Sequence, residues 1–113
     1  MTAISLRIAL FVLALAAALP SGGAAAAEAL QRLAEPRTHA ILRHAIAPGT
    51  GDPPGFTLGD CTTQRNLDDR GRAQARAIGA AIRDAGVKVD RVLTSQWCRS
   101  AETAALLGLG PAA

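Results

Sequence analysis

The chain has 113 residues, and its formal net charge is +3 at neutral pH. So small a surplus, with two phenylalanines, one tryptophan and no tyrosine, argues against a nucleic-acid-binding protein, since that class needs basic surfaces and stacking aromatic side chains. The two cysteines form neither a CxxC motif nor a Cys/His cluster, so no metal site is predicted.

The N-terminus has the composition of a targeting segment. An unbroken apolar stretch covers residues 8–19, a Pro-Ser-Gly-Gly break follows, and alanines fill residues 24–27. This order is typical of a secretory signal peptide, and the apolar stretch is shorter than the roughly 20 residues of a membrane span. We predict a signal peptide over residues 1–27 and a domain over residues 28–113. The protein would be periplasmic or secreted, with only transient membrane contact through the signal peptide; an uncleaved anchor is the alternative.

The first half of the predicted domain contains little regular structure. Residues 28–36 can form one or two helical turns, which Pro36 ends. Residues 38–43 are nearly continuously apolar in their centre, a pattern that indicates a strand covered on both faces. A long loop rich in proline and glycine follows over residues 45–66, and loops of that length are uncommon unless they are functional or disordered.

The second half has clearer signals. Asp68 or Asp69 can cap a helix that ends before Gly86. Its apolar positions follow the i, i+3, i+4, i+7 spacing of a buried helix face: Ala75, Ile78, Gly79, Ile82 and Ala85. A second strand is predicted over residues 87–93 and a second helix over residues 99–107. The order is one right-handed βαβ unit with a trailing helix, which predicts an α/β fold built on a parallel sheet.

Three residues indicate phosphate chemistry. Arg43 and His44 end the first predicted strand, and Arg99 starts the helix that follows the second. Ligands of open parallel sheets bind at the carboxyl ends of the strands, an imidazole can attack phosphorus, and guanidinium groups grip phosphate oxygens. On Arg43 and His44 alone, a capped strand end with a surface ion pair is an equally good interpretation. Arg99 shifts the balance, because a cation at a helix N-terminus suggests an anionic partner.

Three ordered motifs resemble the histidine phosphatase superfamily, also called the phosphoglycerate mutase-like family. Leu-Arg-His-Ala at residues 42–45 resembles its Arg-His-Gly signature, although Ala45 replaces the usual glycine. Residues 67–75 resemble its Leu-Thr-x-x-Gly-x-x-Gln-Ala helix start, and residues 95–104 resemble its Ser-x-x-x-Arg-x-x-x-Thr-Ala segment. The resemblance implies a three-layer parallel-sheet phosphoglycerate mutase-like fold, of which this chain carries the first β-α-β-α portion.

The resemblance also implies roles for individual residues. His44 would be the nucleophile that forms a phosphohistidine, and Arg43 and Arg99 would bind the phosphate, with possible support from Asn66 and Ser95. The implied protein is an exported phosphatase acting on a phosphorylated small molecule or a phosphoprotein. It would use no cofactor and no metal.

Two family elements have no counterpart in the sequence, namely the second histidine and the acid that donates a proton. His39 stands at the far end of the first predicted strand, and Asp52 and Asp60 in the long loop are weak candidates for the acid. We therefore expect weak or absent activity from this chain as an apparently truncated half-domain. The alternative is a non-catalytic anion-binding or interaction module, or an unstable truncated gene product.

The cysteines do not fit a cysteine-dependent phosphatase. Neither Cys61 nor Cys98 stands six residues before an arginine, as the Cys-x5-Arg pattern requires. In an oxidising compartment two cysteines favour a disulfide. A Cys61–Cys98 bond would tie the long loop to the segment before Arg99.

Overall fold

The structure is a computed structural model that describes residues 22–113. It contains three α-helices and one short 3-10 helix in this range: α1 Gly22–Leu33, the 3-10 helix Cys61–Thr63, α2 Asp69–Asp84 and α3 Cys98–Leu107. The two predicted helices of the second half are confirmed as α2 and α3. Most of the predicted signal peptide, including its apolar stretch, lies outside the described residues. No helix among the described residues is long and apolar enough to span a membrane.

The predicted parallel sheet is wrong for the part of the chain that the structure describes. That part contains no strand, and its single β-type pairing is an isolated parallel bridge between Val92 and Ala112. Much of the two segments predicted as strands is exposed, with Ile41 97% and Leu93 69% exposed, although Val87 is buried. An extended segment becomes a strand only when a neighbour takes its backbone hydrogen bonds. Residues 38–43 find no such neighbour among the described residues.

Helix α2 forms where local signals agree. The Asp68 side chain caps its first turn by accepting a hydrogen bond from the Gly71 N–H at 2.8 Å. Ala75, Gly79 and Ile82 line its buried face, as their spacing predicts. The helix ends at Asp84, and Gly86 two residues beyond it has a φ of +72°, a left-handed conformation that glycine adopts without strain.

Helices α2 and α3 pack together through backbone and charged groups. Gly79 lies directly against the carbonyl of Leu107 at the end of α3. Arg83 of α2 donates through Nη1 to the carbonyls of Leu107 and Gly108, which α3 leaves without helical partners. At the other end of the pair, Arg72 Nε lies 2.6 Å from Glu102 Oε1.

Residues 45–47 fill the space between these two helices. Ala45 and Ala47 are buried in a cluster with Leu67 and Ala75, and Leu106 packs against it. The chain immediately after His44 is therefore part of the core. By contrast, the segment before Arg43 borders an open apolar groove of about 520 Å³ beside α1, and His39 lies in its wall.

Candidate functional site

The segment that carries Arg43 and His44 is fixed to both helices by hydrogen bonds. The Ala45 N–H donates to Thr103 Oγ1 at 3.0 Å, and that hydroxyl donates to the Arg99 carbonyl at 2.7 Å. The Ile46 N–H donates to Gln74 Oε1 of α2 at 3.0 Å. The Thr103 side chain thus links the segment that carries His44 to the turn of α3 that starts at Arg99.

His44 is half-buried, and its ring has a defined hydrogen-bond partner. Nδ1 lies 2.7 Å from the carbonyl oxygen of Ala45. Because a carbonyl oxygen only accepts, Nδ1 must carry the proton in this contact, so the lone pair of a neutral ring is on Nε2. A neutral imidazole with a free Nε2 is the form required of a nucleophile. Arg43 is exposed next to it and makes no hydrogen bond with any residue that the structure describes.

Arg99 is nearly buried, with 11% of its side chain exposed. Its Nη1 donates to Asp52 at 3.0 Å from Oδ1 and 3.2 Å from Oδ2, and it lies 3.4 Å from the Arg65 carbonyl. The guanidinium carbon stands 4.5 Å from the centre of the Trp97 ring, a cation–π contact. Phe56 in turn contacts Trp97, with 5.0 Å between the ring centres. Arg99 is therefore held on one edge and on one face.

Asp52 is held as firmly as Arg99. Its Oδ1 accepts the Arg65 N–H at 2.9 Å, and its side chain is 6% exposed. The Arg65 N–H lowers the pKa of Asp52 below the ordinary value of 3.8, the Arg99 guanidinium lowers it further, and burial opposes both. The Arg65 side chain donates to the carbonyls of Ala47 and Gly51, so it organises the loop on both sides of Asp52.

The lowered pKa predicts how acid acts on this ion pair. A carboxyl whose folded-state pKa lies below 3.8 stabilises the fold fully above that pH, and the contribution is lost as the pH falls through the folded-state value. We expect the difference in melting temperature between the wild type and Asp52→Asn to be constant from neutral pH to about pH 5 and to shrink below about pH 4. Melting curves followed by circular dichroism at several pH values measure it. A difference that persists unchanged at about pH 2 would contradict the lowered pKa.

A disulfide joins Cys61 to Cys98, as the sequence predicts. Two amide side chains support it. Gln64 Oε1 accepts the Cys98 N–H at the start of α3 at 2.9 Å, and Asn66 Nδ2 donates to the Cys61 carbonyl at 2.7 Å. In this structure Asn66 holds the disulfide segment rather than a group near His44. Ser95 is exposed, and its carbonyl accepts a 3.2 Å bond from the Thr94 hydroxyl.

A cleft of about 400 Å³ opens beside the disulfide. Asn66, Gln96 and the Arg72–Glu102 pair line it, whereas Arg43, His44 and Arg99 do not. Asn66 therefore lines a cleft to which the phosphate-binding candidates do not contribute.

Neither loop carboxylate suits the role of a proton donor. Asp52 is held as an anion by its partners, whereas a general acid at neutral pH needs a raised pKa. Asp60 caps the 3-10 helix, with its Oδ1 accepting from both the N–H and the hydroxyl of Thr62. His39, the other histidine of the chain, lies beside α1 in the apolar groove. Residues 22–113 contain no group of three or more His, Cys, Asp or Glu side chains that could hold a metal ion.

Arg65, Gln64 and Thr103 hold the site together. Sequence reasoning did not single out Arg65 or Gln64, and it included Thr103 only as part of the Ser-x-x-x-Arg-x-x-x-Thr-Ala segment, without a role of its own. Thr103 does stand one helical turn after Arg99, where its hydroxyl can reach a carbonyl four residues back, so its spacing was a usable signal. Arg65 and Gln64 act through the folded loop, and no spacing along the chain reveals those contacts.

Comparisons with known proteins agree with the motifs. The family model of the histidine phosphatase superfamily (branch 1) matches residues 57–111, a range that includes Arg99 and both cysteines and begins after His44. The mitochondrial serine/threonine-protein phosphatases Pgam5 of Drosophila virilis and Drosophila willistoni are 40% and 38% identical over 50 residues. Each alignment covers 44% of this chain and 17% of the relative. No solved structure matches the chain. These matches support membership of the histidine phosphatase superfamily, with this chain corresponding to an N-terminal part of its domain.

Proposed function

We propose that this chain carries the phosphate-binding and nucleophilic part of an exported phosphatase that works through a phosphohistidine on His44. The observation that carries the proposal is the link from Ala45 through Thr103 to Arg99, because it fixes the candidate nucleophile and the candidate phosphate clamp to the same helix. The bond from His44 Nδ1 to the Ala45 carbonyl supports it, since that contact leaves Nε2 as the nucleophilic atom.

The proposed step is a phosphoryl transfer from a monoester to the imidazole. Nε2 of His44 attacks phosphorus, the bond to the ester oxygen breaks, and the departing oxygen takes its proton from water to leave as the alcohol. Water then hydrolyses the phosphohistidine and releases inorganic phosphate. Arg43 and Arg99 would offset the charge on the phosphoryl oxygens, which is the main demand of this transition state.

Turnover by this chain alone is proposed to be weak or absent. His39 lies beside α1, and Asp52 and Asp60 are committed to other contacts, so none of them supplies the proton that the leaving alcohol needs. The same observations favour a second candidate function, an anion-binding module that takes up phosphate groups without hydrolysing them.

The substrate is proposed to be a phosphorylated protein or a phosphorylated small molecule. The Pgam5 relatives are named serine/threonine-protein phosphatases, which favours the protein. Export is supported by the Cys61–Cys98 disulfide, since such bonds persist in oxidising compartments. The Pgam5 relatives are described as mitochondrial.

Labelling of His44 tests the proposal. Incubation with radiolabelled acetyl phosphate is expected to give an acid-labile, base-stable adduct on the wild type and none on His44→Ala. His39→Ala is the matched control, since it removes the other imidazole of the chain and should label like the wild type. Arg99→Ala should label at least tenfold less, since one charged contact to the phosphoryl group is lost.

The two candidate functions give different results. A phosphatase forms the labelled adduct, whereas a binding module retains phosphate reversibly and forms no covalent product. Equal labelling of the wild type and His44→Ala would remove His44 from the mechanism.

A further inference from the structure

We propose that Asp52 is a positioning residue for Arg99, which it aims at the phosphate while leaving the remaining guanidinium donors free. This inference rests on the proposed function for the identity of the anion. The geometry of the Asp52–Arg99 pair itself is independent of it.

The hydrogen bonds of Arg99 are unevenly distributed over its guanidinium group. All of its contacts to Asp52 and Arg65 run through Nη1. Nε and Nη2 have no acceptor among the residues that the structure describes. No fully buried side-chain nitrogen or oxygen in this part of the chain lacks a partner, so these two nitrogens are open to solvent. Two donors of a side chain that is 11% exposed are therefore left unused within the protein, and they match two oxygens of one phosphate.

Asp52 is held in place by the loop, so it does not occupy the Arg99 donors as a competitor that phosphate would displace. The Arg65 N–H holds its Oδ1, and the Arg65 side chain holds the loop carbonyls at Gly51 and Ala47. Displacing the carboxylate would break its hydrogen bond from the Arg65 N–H and its ion pair with Arg99. The Asp52–Arg99 bond is consequently a support that the folded loop itself provides.

Trp97 completes the support by fixing the plane of the guanidinium group. Its ring covers one face of Arg99, and Phe56 packs against the ring. With one edge on Asp52 and one face on Trp97, Arg99 keeps little rotational freedom. The side chain is then already ordered in the folded protein, so binding of an anion loses less conformational entropy.

Because Asp52 is charged, the direction in which phosphate affinity changes on its removal distinguishes two roles. A carboxylate near an anion site repels the anion, so removing its charge without any other effect would strengthen phosphate binding. Positioning predicts the opposite, because Arg99 without its support binds phosphate less well. The direction of the change therefore separates the two roles.

The test compares Asp52→Ala, Asp52→Asn and the control Asp60→Asn in the full chain. Asp60→Asn makes the same charge change in the same loop, at an exposed carboxylate bonded to Thr62. Calorimetric titration with inorganic phosphate should show about tenfold weaker binding by Asp52→Ala. Asp52→Asn should be intermediate, because its amide oxygen still accepts from Arg65 and Arg99, and the control should match the wild type. Stronger or unchanged binding by Asp52→Ala would overturn the proposal.

A second readout observes Arg99 without phosphate. The nitrogen-15 relaxation of its Nε–H should report a rigid side chain in the wild type and in Asp60→Asn, and a mobile one in Asp52→Ala. Fluorescence of Trp97, the one tryptophan of the chain, should change in Asp52→Ala as its cation moves away. An equally rigid Arg99 in Asp52→Ala would overturn the positioning role. Absent phosphate binding by the wild type, with Arg99 still made mobile by the substitution, would overturn the proposed function and leave the positioning role supported.

Discussion

Replacing Cys61 and Cys98 together by serine is expected to lower the free energy of unfolding by about 4 kcal/mol. The bond closes a segment with a sequence separation of 37 residues, so its loss frees that segment in the unfolded chain. Natural domains have about 5–15 kcal/mol of stability in total, so the variant is expected to be largely unfolded under mild denaturing conditions. Urea unfolding of the oxidised wild type and the double variant measures the difference.

The reduced wild type is the matched reference for the double variant. It has the same unbridged chain without the serines, so both should unfold at about the same urea concentration. Agreement between them assigns the effect to the bond rather than to the side chains. A double variant as stable as the oxidised wild type would show that hydrogen bonds through Gln64 and Asn66 hold this segment without the disulfide.

Replacing Gly79 by alanine is expected to destabilise the protein by about 2 kcal/mol, although alanine is the better helix former. A Cβ at this position would lie 2.8 Å from Leu107 Cα and 2.5 Å from its carbonyl carbon. Both atoms belong to the backbone of α3, so relief requires the two helices to separate. Overpacking of this kind costs about 3 kcal/mol, against about 1 kcal/mol gained from helix propensity.

An exposed site on the same helix provides the reference for propensity. Ala77→Gly in α2 should cost about 1 kcal/mol, since it removes no packing. Thermal unfolding of both variants beside the wild type measures the two effects. If Gly79→Ala stabilised the protein, propensity would outweigh packing, and α2 could not approach α3 as closely as the structure has it.

The sequence predicted the features that depend on neighbours along the chain. The cap at Asp68, the glycine at residue 86 and the apolar spacing between them define α2 locally. The disulfide was predicted from the count and setting of the cysteines. The strands failed because apolar residues at 38–43 and 87–93 indicate a preference for burial, whereas a strand also needs a partner for its backbone.

The candidate site was predicted in part. Motif spacing selected His44 and Arg99, and the structure fixes both to α3. The partner of Arg99 was not predicted, because Asp52 is 47 residues away along the chain and reaches it only through the folded loop. The sequence made Asp52 a weak candidate for the proton donor, whereas its ion pair with Arg99 lowers its pKa and keeps it ionised. Contacts between distant residues depend on loop conformation, which composition does not encode.

The position of the Thr103 hydroxyl bears on which parts of the chain can change during evolution. It aligns the segment that carries His44 with the Arg99 turn through two short bonds, without using the exposed part of the long loop at residues 53–60. Substitutions there at positions other than Phe56, which packs against Trp97, would leave these two bonds in place. A lineage could thus vary most of that exposed surface without changing how the segment that carries His44 is aligned with the Arg99 turn.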